Sequence, residues 1–169
     1  SNPVPGYETL GTRCQPLISD GEIAFPGGKT DKGEDAIQTA LRETREEIGL
    51  SQEKIEVWGK GPAVPGRNNT LLVTPVIGSV DELNQEDLKI NAKEVSEVFT
   101  IPIWSLCEET NQYYTQFSNG FILPVFVVEG YKIWGITAYI THAFLNSTLP
   151  KDLYKNEWMK KKIILGEVK

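Results

Sequence analysis

The sequence is poor in the residues from which many active sites are built. It holds one histidine, His142, and two cysteines, Cys14 and Cys107, which form no CxxC pair. These cannot assemble the usual four-ligand zinc site, and the cysteines read as free thiols of a reducing compartment. No GxSxG or comparable context accompanies His142, so a Ser-His-Asp or Cys-His reading has no support and a structural role is expected. Positive charge is also scarce: 17 Lys and Arg against 23 Asp and Glu give a formal charge of −6. That balance argues against a general nucleic-acid or anionic-membrane binder. An anionic substrate must then be held by local positive groups or metal ions. No run approaches the roughly 18 apolar residues of a membrane span, and the N-terminus lacks the apolar stretch of a secretory signal. The start at Ser1 and Asn2 rather than Met reads as a processed end, which leaves a removed targeting peptide open.

What is present is an ordinary globular composition, with 169 residues, 40% apolar and 24% charged. The expectation is one compact domain over residues 1–169, with 151–169 as a C-terminal extension. That extension is lysine-rich but carries Leu153, Trp158, Ile163, Ile164 and Leu165, and is expected to dock through them. Ile23 to Phe25 reads as a short strand ended by Pro26-Gly27-Gly28, and a helix pattern runs from about Asp35 to Ile48, with Gly49 as its stop. Ile55 to Trp58, Leu71 to Ile77, Phe121 to Val128 and Tyr131 to Trp134 have strand composition, Pro75 and Pro124 being placed at edges or bulges. Glu129-Gly130 supports a tight turn, and Ile136, Tyr139, Ile140, Ala143 and Phe144 recur at helical spacing, as in a core-packing helix. Separated strands with two strong helices favour an α/β or α+β domain.

The segment from Gly28 to Leu50 carries the chemistry. At about 100° per residue, with Ala36 at zero, Ala36, Ala40, Thr44, Ile37, Ile48 and Leu41 spread over roughly 0° to 140° and form the expected buried arc. Glu46, Glu43 and Glu47 fall at about 280°, 340° and 20°, three carboxylates at the edge of that arc, while Arg45 points away at about 180°. Like charges at these spacings weaken a helix. A hard divalent cation compensates, because Mg²⁺ takes oxygen ligands and is commonly completed by substrate phosphates.

The wider pattern is Gly-x5-Glu-x7-Arg-Glu-U-x-Glu-Glu-x-Gly-U, with U usually aliphatic, met by Gly28, Glu34, Arg42, Glu43, Glu46, Glu47 and Gly49. At about 7% usage per residue type, seven fixed matches arise by chance roughly once in 10⁸ windows. The segment resembles the Nudix hydrolase signature, with Thr44 in the first U position as a mild departure. The resemblance implies a Nudix α/β/α sandwich with a mixed β-sheet between helices, and a hydrolase that uses Mg²⁺ or Mn²⁺ to cleave a diphosphate linked to a nucleoside. It also implies metal-binding glutamates at Glu43, Glu46 and Glu47, an orienting arginine at Arg42, a carbonyl contributed by Gly27, and a structural glutamate at Glu34. Gly28 and Lys29 are the expected substrate contacts in the turn. The general base is left open between Glu46 in the box and Glu94 or Glu97 in NAKEVSEVF.

The flanks GEIAFPGGKTD, EVSEVFTIPI and YKIWGITAYIT resemble the coenzyme A diphosphatase branch, especially the mitochondrial enzymes of animals. Coenzyme A or its thioesters are then the implied substrates, with ADP-ribose, a dinucleotide or a nucleoside triphosphate as the alternative, and a non-catalytic nucleotide-binding module as a second. ETLGTRC supplies Arg13 as the match for a phosphate-binding arginine, although the apolar first strand of the branch is absent and Ser19 or Asp20 stands where a histidine is frequent. The expected partner is a small molecule, not nucleic acid or a membrane, with a homodimer left open. The terminal Glu-Val-Lys is not a Ser-Lys-Leu peroxisomal address, which with the branch resemblance favours mitochondria over cytoplasm.

Overall fold

The computed structural model describes residues 13–14, 17–19, 22–66 and 71–164. Its contacts divide into two compact units, Ser1–Thr100 and Ile101–Lys169.

The first unit contains β1 (Arg13–Cys14), β2 (Leu17–Ser19), β3 (Glu22–Ala24), α1 (Ala36–Ile48), β4 (Glu56–Lys60), β5 (Val64–Pro65), β6 (Leu72–Val73), β7 (Val76–Ser79) and β8 (Glu97–Val98). β2 lies antiparallel between β3 and β8, with Ile18 opposite both Ile23 and Glu97. β4 pairs antiparallel with β7 and carries a bulge between Val57 and Gly59. The stretch expected as one strand over 71–77 is two, β6 and β7, separated at Thr74-Pro75. Proline has no N–H for a ladder, and Pro75 instead offers its carbonyl to the Gly61 N–H at 2.8 Å.

Helix α1 forms where its end signals place it. Asp35 Oδ1 accepts from the Gln38 N–H and Gln38 Oε1 accepts from the Asp35 N–H, each at 2.9 Å, a reciprocal cap for two otherwise orphaned donors. At the other end Gly49 is left-handed, φ 73°, and its N–H donates to the Arg45 carbonyl. The burial differs from the helical-wheel expectation. Ile48 is buried as expected, but the other buried residues of α1 are Thr39 and Glu47. Both lie on the carboxylate side of the wheel, because the turn from Gly27 to Glu34 folds over that side through hydrogen bonds. Ile48, Leu50 and Val95 form the core of this unit, with Ala24, Ile55, Val80, Leu83, Leu88 and Val98 packed around them.

The second unit contains β9 (Ile101–Pro102), α2 (Ile103–Cys107), β10 (Gln112–Gln116), β11 (Ile122–Val128), β12 (Tyr131–Ile133) and α3 (Gly135–Thr148). β10, β11 and β12 form an antiparallel meander. Pro124 sits opposite Tyr114, outside the part of β11 that β12 covers, so it is on a local edge as its chemistry requires. Glu129 and Gly130 both have positive φ, 52° and 85°, the geometry of a two-residue hairpin turn. α3 packs on β11, but its buried residues are Thr137, Ala138, Thr141 and Leu145, a face rotated from the apolar series 136, 139, 140, 143 and 144. Small Ala138 allows close approach, and Thr141 hides its hydroxyl by donating to the Thr137 carbonyl at 2.8 Å.

The C-terminal segment docks by part of its expected apolar set: Trp158 and Ile163 are buried together with Tyr154, Leu153 is half-buried, Ile164 is exposed, and Leu165 lies outside the described residues. It ends in a parallel bridge to β10, with the Tyr114 N–H donating to the Lys161 carbonyl and the Ile163 N–H to the Tyr114 carbonyl, each at 2.8 Å. Cys107 is a free thiol that burial pushes up to about 11, which makes it a poor nucleophile. His142 is structural in setting: Nδ1 lies 2.9 Å from the Tyr154 hydroxyl and the ring meets Trp158 edge-on at 5.2 Å. Among the described residues no helix is long and apolar enough to cross a membrane.

Candidate active site

The site is organised by one arginine. Arg42 Nε donates to Glu34 Oε1 at 2.8 Å, Nη1 to Glu43 Oε1 at 2.9 Å and Glu46 Oε2 at 3.2 Å, and Nη2 to the Lys29 carbonyl at 2.9 Å and Glu34 Oε2 at 3.2 Å. A guanidinium has five N–H donors in a rigid fork, and all five are used here. Glu34 accepts two further hydrogen bonds, from the Asp31 N–H and the Thr39 hydroxyl, each at 3.1 Å. Its hydrogen bonds with Arg42 lower its pKa despite opposing desolvation, and the same bonds raise that of Arg42. Glu34 and Arg42 therefore form a fixed charged pair that binds the glycine turn to α1.

Glu47 is held differently. It is 7% exposed, and its Oε2 accepts from the Gly27 N–H at 3.1 Å. Burial raises its pKa to about 7, against the hydrogen bond from Gly27, with Glu43, Glu94 and Glu46 adding repulsion. A carboxylate poised near neutrality by burial and like charge is a mark of functional sites. Gly28 explains why the turn lacks side chains at this point: a Cβ there would overlap the carboxylate of Glu43.

The sequence-derived residues thus divide. Glu34, Arg42, Glu43, Glu46, Glu47, Gly27 and Gly28 come together in one contiguous array. Lys29 joins it through its carbonyl, while its side chain enters none of these bonds. Gly27 contributes its N–H to Glu47 in this structure. The Arg13 backbone lies in β1, and its side chain falls outside the described residues. Glu97 lies in β8 opposite Ile18, whereas Glu94 follows a turn at Asn91. Among the described residues no group of three or more His, Cys, Asp and Glu side chains is already converged for a metal ion. Arg42 draws Glu43 and Glu46 to itself.

The sequence reading missed Thr39 and Asn91. Thr39 recurs one turn before Glu43, a spacing that places both on one face. Asn91 donates its N–H to the Glu47 carbonyl at 2.9 Å from 44 residues further along the chain, and no local signal marks such a contact.

The NUDIX domain family matches residues 13–120. The chain is 41% identical over 136 residues to human mitochondrial coenzyme A diphosphatase NUDT8, covering 77% of this chain and 57% of that protein. It is 36% identical over 160 residues to Nudix hydrolase 3 of Caenorhabditis elegans, covering 83% and 65%. It is 38% identical over 129 residues to mouse peroxisomal coenzyme A diphosphatase NUDT7, covering 70% and 53%. The chain therefore spans less than two thirds of the length of each of these relatives.

Proposed function

Because the chain belongs to the Nudix family, we propose that it hydrolyses the diphosphate bond of coenzyme A or an acyl-coenzyme A with the help of a divalent cation. The products are 3′-phosphoadenosine 5′-phosphate and 4′-phosphopantetheine or its acyl form. The observation that carries the reading is the Arg42 array with Glu47 pinned beside it, in a chain similar to diphosphatases of this substrate.

The residues present fit a hard cation. Their donors are carboxylate oxygens, the class that Mg²⁺ and Mn²⁺ prefer. The turn at Gly28 is bare where a Cβ would fill the space beside Glu43. Glu47 is held in a burial and like-charge environment that a cation would relieve. Glu43, Glu46 and Glu47 would hold the ion, with the Gly27 carbonyl as a further oxygen. When bound, it supplies positive charge to diphosphate oxygens and lowers the pKa of water.

The remaining work belongs to the chain. Arg42 gathers Glu43 and Glu46 on one side of α1 while its hold on Glu34 keeps the turn against the helix, so that the carboxylates a cation would use lie beside the turn. The Gly27 N–H fixes the Glu47 carboxylate. Gly28 admits the diphosphate close to the backbone, and the Lys29 ammonium and Arg13 supply the local positive charge that an overall −6 chain needs for a polyanion. Water forms a bond to one phosphorus as the bridging P–O bond breaks, and its proton passes to a carboxylate, with Glu46, Glu94 and Glu97 the candidates. The single-domain organisation, with 151–169 as an extension, and a mitochondrial location belong to the same reading.

The test is mass spectrometry of products formed from coenzyme A with Mg²⁺ or Mn²⁺, beside ADP-ribose, a dinucleotide and a nucleoside triphosphate. Release of 4′-phosphopantetheine at the highest kcat/KM of the panel supports the reading. Preference for another substrate overturns the substrate assignment, and no turnover with any overturns the enzyme assignment.

A further inference from the structure

The segment from Leu88 to Val95 has no part in the signature, yet it closes the C-terminal end of α1. A helix leaves its last carbonyls without partners of its own. Here the Lys89 N–H donates to the Ile48 carbonyl and the Asn91 N–H to the Glu47 carbonyl, both at 2.9 Å. The contact has no slack, because a Cβ at Gly49 would stand 2.8 Å from the Lys89 nitrogen and Cβ. The other end of the segment is anchored by Val95, 1% exposed and clustered with Ile48 and Leu50.

Between these anchors Asn91 makes several connections. Its carbonyl accepts from the Glu94 and Val95 N–H groups at 3.0 and 2.9 Å. Its Oδ1 accepts from the Lys93 N–H at 3.3 Å, and its Nδ2 donates to Glu94 Oε1 at 3.2 Å. One residue is thus bonded both to the peptide of Glu47 and to the carboxylate of Glu94.

We propose that Asn91 is a positioning residue of the cation site, its side-chain amide holding Glu94 beside Glu47 so that Glu94 adds its charge to the three carboxylates of the box. The proposal rests on the reading of Glu43, Glu46 and Glu47 as cation ligands. Through its own N–H and its side-chain amide, Asn91 ties the charged Glu94 carboxylate to the peptide of Glu47. A cation drawn to Glu47 feels that charge with the opposite sign. An amide suits the task because it donates to the carboxylate without bringing a positive charge that would repel the ion.

Mn²⁺ titration of the full chain without substrate, followed by electron paramagnetic resonance, tests this. Asn91→Ser keeps an oxygen for the Lys93 N–H and loses the amide donor. The expected result is a Kd for Mn²⁺ raised about threefold to tenfold, the scale of one ordinary solvent-exposed hydrogen bond, with an unchanged thermal midpoint. Glu94→Gln is expected to raise Kd similarly, and the double variant no further than Glu94→Gln alone. An unchanged Kd in Asn91→Ser, fully additive effects in the double variant, or a loss of thermal stability that accounts for the weaker binding would each overturn the proposal. Failure of the underlying reading has its own signature: Glu47→Gln would bind Mn²⁺ like the wild type, and the proposal would fall with it.

Discussion

Gly28 and Glu43 are packed so closely that a Cβ on residue 28 would have Cδ and both oxygens of the Glu43 carboxylate within 3.0 Å. A bulkier residue 28 must therefore displace a proposed ligand before it disturbs anything else. Gly28→Val is expected to lower kcat and weaken Mn²⁺ binding by more than its loss of thermal stability explains. A large stability loss with unchanged Mn²⁺ affinity in the folded fraction would make Gly28 a turn residue only.

Glu47 couples the site to pH. With its folded pKa raised to about 7 from an ordinary 4.5, the folded chain binds the proton more tightly than the unfolded one. The resulting stability is fully present below about 4.5 and is lost as pH rises through about 7. In metal-free buffer, Glu47→Gln should therefore gain stability relative to the wild type across that window, measured by urea unfolding at pH 5 and pH 8. The same variant, like Glu43→Gln, should lose at least about 10²-fold in kcat, the scale of one major electrostatic stabiliser. Near wild-type turnover at saturating Mg²⁺ would remove that residue from the ligand set.

Arg42 and Arg45 differ by three positions and by everything that follows from direction. Arg42→Lys keeps a charge but gives up the planar fork that spans Glu34, Glu43 and Glu46. It should lower the thermal midpoint and lower kcat in parallel. Arg45→Ala should leave activity near the wild-type value, since Arg45 is exposed on the opposite side of α1. Equal effects of the two substitutions in thermal melts and kinetics would contradict the array described.

The parts legible in the sequence are those set by neighbours in the chain. Asp35 and Gly49 cap α1 where turn chemistry places them, and the spacing of Glu43, Glu46 and Glu47 puts them on one side. The burial of Thr39 and Glu47 was not legible, because it depends on a turn folding back across α1. The Asn91 contact spans 44 residues and leaves no periodicity. In α3 the count of apolar residues misled, since threonine can bury its hydroxyl against its own helix and so pack as a small residue.

His142 gives the second unit its own acid sensitivity. Burial holds its pKa below the ordinary 6.5, so the neutral ring belongs to the folded state. Its contribution is full above about 6.5 and is lost as pH falls below that value. In urea unfolding between pH 7.5 and 5, the wild type should lose more stability than His142→Gln. Parallel pH profiles would show that the ring does not titrate with folding.

Within the proposed function, we infer that Arg13, the match for a phosphate-binding arginine, takes the 3′-phosphate of coenzyme A. Arg13→Ala should lose about tenfold to a hundredfold in kcat/KM on coenzyme A, the scale of one charge-assisted bond, and much less on dephospho-coenzyme A. Equal losses on both substrates would place Arg13 at the diphosphate or in the fold.

The bridge between Lys161–Ile163 and Tyr114 pairs the N–H and carbonyl of Tyr114 on β10, an outer strand of the three-stranded meander. Open edges recruit strands from other molecules, so residues 161–163 are expected to guard against self-association as well as to supply packing. Removing residues from Lys161 onward would bare the Tyr114 N–H and carbonyl on a strand that leads into Phe117, which is exposed like Phe121. The shortened chain should then aggregate at concentrations where the full chain stays dispersed.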